Sequence, residues 1–135
     1  MQIKLEKKDI ESALIRQIER VSGEDLKKCY QCGNCSAGCP VSYAMDTPPT
    51  RMIRLLQLGK ADDVMGGDAM WLCLGCLQCY SRCPKGVSAA NLFEALRQMR
   101  LRSGIDHRPI MDVPAEFLKN APQQAIVCGF RKLVS

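Results

Sequence analysis

A chain of 135 residues and 15.0 kDa has room for one ordinary domain but not for two large ones. No apolar run approaches the roughly 18 to 20 residues that span a bilayer. The charged start Met1-Gln-Ile-Lys-Leu-Glu-Lys-Lys-Asp9 has neither an apolar h-region nor a small-residue cleavage site, so a cytoplasmic, non-exported protein is expected. Nine cysteines against 5 % aromatic residues imply that sulfur ligation replaces part of an aromatic core. In a reducing compartment such density reads as metal ligation or redox chemistry rather than disulfides. The formal charge of +5 counts every thiol as neutral. Eight metal-bound thiolates and two cores of charge 2+ would bring it to +1, which leaves little reason to expect nucleic acid.

In chain order, Ile10, Ala13, Leu14, Ile18 and Val21 recur at helical spacing, and Gly23 can close a helix over 9–23. Its other face carries Glu11, Arg16, Glu19 and Arg20, read as solvated more readily than as a dock. The run Cys29-Tyr-Gln-Cys-Gly-Asn-Cys-Ser-Ala-Gly-Cys-Pro40 follows. A second helix then opens at Thr47-Pro-Pro-Thr, with Thr47 as N-cap and Pro48 at the first helical position, and proceeds through Met52, Ile53, Leu55, Leu56 and Leu58 to Gly59. A short helix over Ala61 to Met65 ends at Gly66-Gly67. Asp68 is placed to cap Ala69 to about Leu74, which brings Trp71 beside a second run, Cys73-Leu-Gly-Cys-Leu-Gln-Cys-Tyr-Ser-Arg-Cys-Pro84. Ser88 can cap a long helix with Leu92, Phe93, Leu96, Met99 and Arg100 on neighbouring turns and Gly104 past its end. Beyond His107, Pro109, Pro114 and Pro122 suggest an irregular tail over 106–135, with one helical turn near Glu116 to Asn120. Sustained β alternation is missing throughout, so the expected fold is all-α, one domain over 1–135.

The two cysteine runs lie 44 residues apart and match position for position. In C-x2-C-x2-C three thiolates come from one tightly curved segment and can reach three irons of a cubane. The fourth cysteine, three residues on after an x3 spacer, precedes a proline that bends the chain and donates no N–H. This is a bacterial [4Fe-4S] signature, in which the fourth cysteine of each run serves the other cluster. Cys29, Cys32, Cys35 and Cys83 are therefore expected to hold one [4Fe-4S] cluster, and Cys73, Cys76, Cys79 and Cys39 the other. A four-thiolate zinc site would use only four of the eight cysteines and leave Pro40 and Pro84 without a purpose. A Rieske centre needs two histidines, and His107 stands alone.

Gly33, Gly38 and Gly75 are either turn residues or points where backbone approaches sulfide. Lys27, Lys28, Arg82 and Lys85 flank the ligands and either favour the reduced, more negative cluster or serve solubility. Cys128 reads as a free or packed thiol and His107 as a surface residue. Arg97, Arg100, Arg102 and Arg108 form a basic stretch that suits an acidic partner or a solvated face. The sequence contains no G-x-G-x-x-G and no P-loop, so no catalytic residues are assigned to this chain.

The stretch Tyr30 to Val41, the segment Thr47-Pro-Pro-Thr-Arg-Met-Ile-Arg-Leu-Leu-Gln-Leu-Gly59 and the stretch Trp71 to Pro84 together resemble the C-type iron–sulfur subunit of heterodisulfide reductase, over residues 25–105. That resemblance implies an α-helical ferredoxin fold, shared with iron–sulfur subunits of succinate dehydrogenase and glycolate oxidase, and two [4Fe-4S] clusters on the eight cysteines. It also implies two partners, a flavin and iron–sulfur A-like subunit and a catalytic B-like subunit that cleaves a disulfide on Cys-Cys-Gly motifs. This chain has no adjacent cysteine pair, so any such cleavage belongs to another chain. An electron-relay subunit is the function expected, with a freestanding dicluster ferredoxin as the second reading and a zinc-stabilised interaction module as a remote third.

Overall fold

A computed structural model describes residues 6–10 and 12–135, without the side chain of Lys7; Met1 to Leu5 and Glu11 lie outside the described residues. Among the described residues the chain is helical and has no strand. It divides into two compact units, Met1–Leu96 and Arg97–Ser135, where the sequence suggests one domain.

In the first unit, α1 (Lys7–Ile10) is followed by a fresh start at α2 (Ala13–Ser22) instead of one helix from residue 9. Ser12 explains the restart, because it takes extended backbone angles and its side chain accepts a hydrogen bond from the Ile15 N–H. With that start the buried positions are Ile15 and Ile18, while Ala13 is exposed. Gly23, left-handed at φ 72°, closes the helix as expected. Arg16 and Arg20 line its outer side, but Glu19 turns back and accepts from the Leu26 N–H at 3.1 Å, which tethers a 3-10 turn over Leu26–Lys28.

The first cysteine run ends in α3 (Asn34–Ala37). Next comes α4 (Pro49–Gln57), which buries Met52, Ile53 and Leu56. Its first helical residue is Pro49 and not Pro48, and Thr47 lies outside it, buried with its hydroxyl on Asp46. The free N–H that a cap would have taken, that of Thr50, goes to Ser36 Oγ at 2.8 Å. α4 is thus fastened to the cysteine run itself. α5 (Ala61–Met65) matches its sequence prediction, and α6 (Ala69–Leu72) stops at the second run, two residues earlier than expected.

Asp68 occupies the N-cap position of α6 but makes no side-chain cap bond. The Ala69 N–H instead reaches Asp46 Oδ1 at 2.8 Å, from the loop that follows the first run. After the second run comes α7 (Gln78–Ser81), packed on α3, and then α8 (Ala89–Leu101). Ser88 caps α8 through the Asn91 N–H, as expected. Its own N–H and the Asn91 side chain donate to the Glu24 carboxylate at 3.0 and 2.9 Å, so the segment before the first run holds the helix after the second. Ile18, Met52, Leu56, Met70, Leu92 and Phe93 are fully buried and form the centre of this unit, and Trp71 is buried as well.

The second unit contains α9 (Ala115–Asn120) and α10 (Gln123–Phe130), so the tail is helical and not irregular. Pro114 and Pro122 stand immediately before these helices and Pro109 before a 3-10 turn over Ile110–Asp112, where proline's fixed φ and missing N–H favour a helix start. The unit is closed by the His107 N–H on the Leu133 carbonyl at 2.8 Å and by Ser135 on Asp106. His107 is half-buried and Cys128 is exposed. Arg100, Arg102 and Arg108 are exposed, whereas Arg97 is buried and does not belong to that basic face.

The capping geometry separates two neighbouring aspartates. Asp46→Ala should lower stability by roughly 1 to 2 kcal/mol in anaerobic chemical denaturation, since it strands a part-buried helix N–H, while Asp68→Ala should stay within about 0.5 kcal/mol. Equal losses from both substitutions would contradict it.

Candidate iron–sulfur sites

Two cavities in the first unit collect the cysteines. One is lined by Cys29, Cys32, Cys35 and Cys83 with Gln31, Gly33, Thr50, Ile53 and Val87. The other is lined by Cys39, Cys73, Cys76 and Cys79 with a mostly apolar wall that includes Pro40, Met45, Leu74, Leu77 and Phe93. Their empty volumes, open mouths included, are about 300 and 330 Å³. Each cavity thus draws three thiols from one run and the fourth from the other. None of the nine cysteines is in a disulfide; Cys32 and Cys76 are exposed, Cys79 is buried, and the other five run members are half-buried. Among the described residues no group of three or more His, Cys, Asp or Glu is arranged to hold a single metal ion. The thiols surround volumes instead of converging on a point.

The curvature of each run comes from left-handed residues at equivalent positions. In the first run these are Gln31 and Gly33, at φ 65° and 85°; in the second they are Gly75 and Leu77, at φ 66° and 60°. Two left-handed residues so close together turn the chain sharply enough for three successive thiols to face one cavity. A glycine stands at one of the two positions in each run, and a residue with a Cβ accepts the strain at the other. Gly38 has a different role, because a Cβ there would meet the side chain of Arg82, which occupies the equivalent place before Cys83. The absence of a side chain at Gly38 lets the two runs approach each other.

Hydrogen-bond donors are aimed at the sulfurs. The Val87 N–H reaches Cys83 Sγ at 3.3 Å, the Gln31 side chain reaches Cys29 Sγ at 3.4 Å, and the Thr50 hydroxyl lies 3.3 Å from Cys35 Sγ. Burial pushes the Cys29 thiol above its ordinary range; a hydrogen bond from the Gln31 backbone N–H opposes this, and the charges of Cys35, Cys83 and Cys32 add to it. Burial likewise raises the Cys79 thiol, against hydrogen bonds from the backbone N–H groups of Ala90, Tyr80 and Ala89, with Cys73 pushing it up further. The Tyr30 phenol is raised by desolvation first and then by its hydrogen bond to Cys32, so it remains a donor. Lys27, Lys28, Arg82 and Lys85 are exposed around these sites.

The Cys29 and Cys79 thiols thus resist ionisation until a cation joins them. Four thiols around each of two similar cavities, with N–H and O–H groups already pointing at sulfur, fit clusters whose irons supply that positive charge. Residues 25–87 match the family model described as the 4Fe-4S dicluster domain. The protein is accordingly an all-helical iron–sulfur protein with two [4Fe-4S] clusters.

The relatives are more specific, and those named here are all C-type iron–sulfur subunits of heterodisulfide reductases. The chain is 37 % identical over 79 residues to that of the CoB--CoM heterodisulfide reductase of Methanopyrus kandleri, a match covering 58 % of this chain and 41 % of that protein. It is 34 % identical over 101 residues to the second such subunit of Methanocaldococcus jannaschii, covering 72 % and 54 %. With the counterpart in the ferredoxin:CoB-CoM heterodisulfide reductase of Methanosarcina mazei it shares 30 % over 103 residues, covering 74 % and 63 %. The chain spans about half the length of these relatives. Among the described residues no helix is long and apolar enough to cross a membrane.

Because cluster binding is a large part of folding free energy in small metalloproteins, anaerobic removal of iron with a chelator should lower the denaturation midpoint and the amide protection of the α3, α7 and Ser88 segments. Unchanged protection there would show that the cavities persist without their contents.

Proposed function

We propose that this chain is an electron-relay subunit in which Cys29, Cys32, Cys35 and Cys83 hold one [4Fe-4S] cluster and Cys39, Cys73, Cys76 and Cys79 the other. The observation that carries this reading is the grouping of thiols, three from one run and one from the second, around each of the two cavities. Clusters bound there supply one-electron chemistry. The protein's own part is to hold eight sulfurs on short, mutually fastened helices, so that little rearranges when charge changes. N–H and O–H dipoles around the sulfurs stabilise the added negative charge.

The relatives named above belong to heterodisulfide reductases. On that basis the chain is assigned to a heterodisulfide-reductase-like complex in the cytoplasm, between an A-like flavin and iron–sulfur subunit and a B-like catalytic subunit. The surface suits a component of an assembly better than a freely diffusing ferredoxin. Leu74 and Leu77, at the wall of the second cavity, are 63 % and 50 % exposed, and Met111 and Phe117 of the second unit are exposed at 88 % and 58 %. Such apolar residues would be covered in a complex.

Cys39→Ser tests the crossed assignment. The cluster shared with Cys73, Cys76 and Cys79 should be lost or altered in anaerobic EPR spectra, with the other signal changed much less; the opposite pattern would refute the grouping. Affinity purification of the tagged chain under anaerobic conditions should recover flavin together with iron and sulfide in excess of two clusters. A persistent monomer would favour the freestanding ferredoxin.

A further inference from the structure

The two cysteine runs share a backbone shape but not the residue that bears its strain. At the third position of the run Gln31 is left-handed at φ 65°, where the second run has Gly75 at φ 66°. Glycine takes that conformation freely, whereas glutamine does so at a cost. A strained residue persists where its surroundings hold it in place and its side chain has a use.

The Gln31 side chain is held from two directions. Its Nε2 donates to Cys29 Sγ and to Gln57 Oε1, both at 3.4 Å. Gln57 cannot turn its amide round, because its own Nε2 donates to the Leu26 and Cys29 carbonyls at 2.8 and 2.9 Å, and Arg54 Nη1 donates to its Oε1. The Gln31 amide therefore faces the sulfur with its N–H end. Thr50 adds a second donor at the same site: its oxygen accepts from Ser36 Oγ at 2.8 Å, which leaves its proton for Cys35 Sγ at 3.3 Å once that sulfur is a thiolate. Gly75, at the equivalent position, has no side chain, and the donors on Cys79 at the second site are the backbone N–H groups of Ala90, Tyr80 and Ala89.

We propose that Gln31, oriented by Gln57, is a positioning residue that raises the reduction potential at the first site by aiming its amide N–H at Cys29 Sγ. Donors aimed at ligating sulfur favour the more negative, reduced state. The step is the addition of one electron at that site, supplied by dithionite in the titration below; no bond forms or breaks and no proton moves. The inference rests on the ligand grouping proposed above.

The test is an EPR-monitored redox titration, with dithionite as reductant, of the anaerobically purified full chain. The first-site signal is identified as the one altered by Cys32→Ser. Gln31→Gly relieves the backbone and removes the donor, so it should raise the denaturation midpoint while making reduction at the first site about tenfold less favourable, or ~59 mV for a one-electron couple. The second-site potential should hold. Gln31→Asn tolerates a left-handed backbone but is one methylene shorter, so it should lower the potential likewise, and Gln31→Glu, which brings an acceptor to the sulfur, should lower it more. The proposal is overturned if Gly and Asn leave the first-site potential unmoved, or if both variants lose the cluster, which would make Gln31 a folding residue. Iron and sulfide amounting to fewer than two clusters in the wild type would overturn the ligand grouping, and this inference with it.

Discussion

The structure depends on one constraint: neither cavity can be walled by a single run. Cys83 completes the set of Cys29, Cys32 and Cys35, and Cys39 completes that of Cys73, Cys76 and Cys79. Each fourth thiol must arrive at the other run in register, so the helices between and around the runs have to fix the distance between two stretches that start 44 residues apart. The packing of α3 on α7 and the missing side chain at Gly38, which makes room for Arg82, bring the runs together at equivalent points.

The remaining polar contacts of the first unit serve the same register. Ser36, between two cysteines, takes the N–H of Thr50 at the start of α4. Asp46, beyond the first run, takes the N–H of Ala69 that begins the short helix leading into the second. Glu24, before the first run, holds the N-terminus of the helix after the second. In each case a helix with an unsatisfied N-terminal donor is met by a side chain from the segment it must stay beside, so capping and tertiary placement are one interaction. A core of Met52, Leu56, Leu92 and Phe93 supplies the burial, and the polar ties select the geometry.

That division explains what the sequence makes legible. Helices with a strong apolar period can be read from it, as can Ser88 as a local cap and the turn at Gly23, because their causes lie within a few residues. The eight cysteines that line the cavities are legible for another reason: they stand in two runs of identical spacing. Asp46 is not, since a side chain that caps a helix 23 residues away leaves no local pattern and the adjacent Asp68 offers a better-looking one. The restart at Ser12 is hidden by an apolar period that continues across it. Pro109, Pro114 and Pro122 look like breaks in the sequence, yet each stands where a helical turn begins. Gln31 reads as no more than a spacer, because its interest lies in a backbone angle that only the comparison with Gly75 makes notable.

The bond between Glu24 and the Ser88 segment has a consequence for the order in which the protein can be made. On a ribosome the chain emerges from its N-terminus. When Cys39 has appeared, the first run can offer only three thiols to its cavity, and the clasp that shuts the unit is still 64 residues from its Glu24 partner. The remaining wall residues of the two cavities run from Pro40 to Phe93, and the Ser88 segment that Glu24 holds lies near the end of that stretch. A product truncated before Cys83 therefore lacks the fourth thiol of the first cavity and the residues beyond it that help to line both.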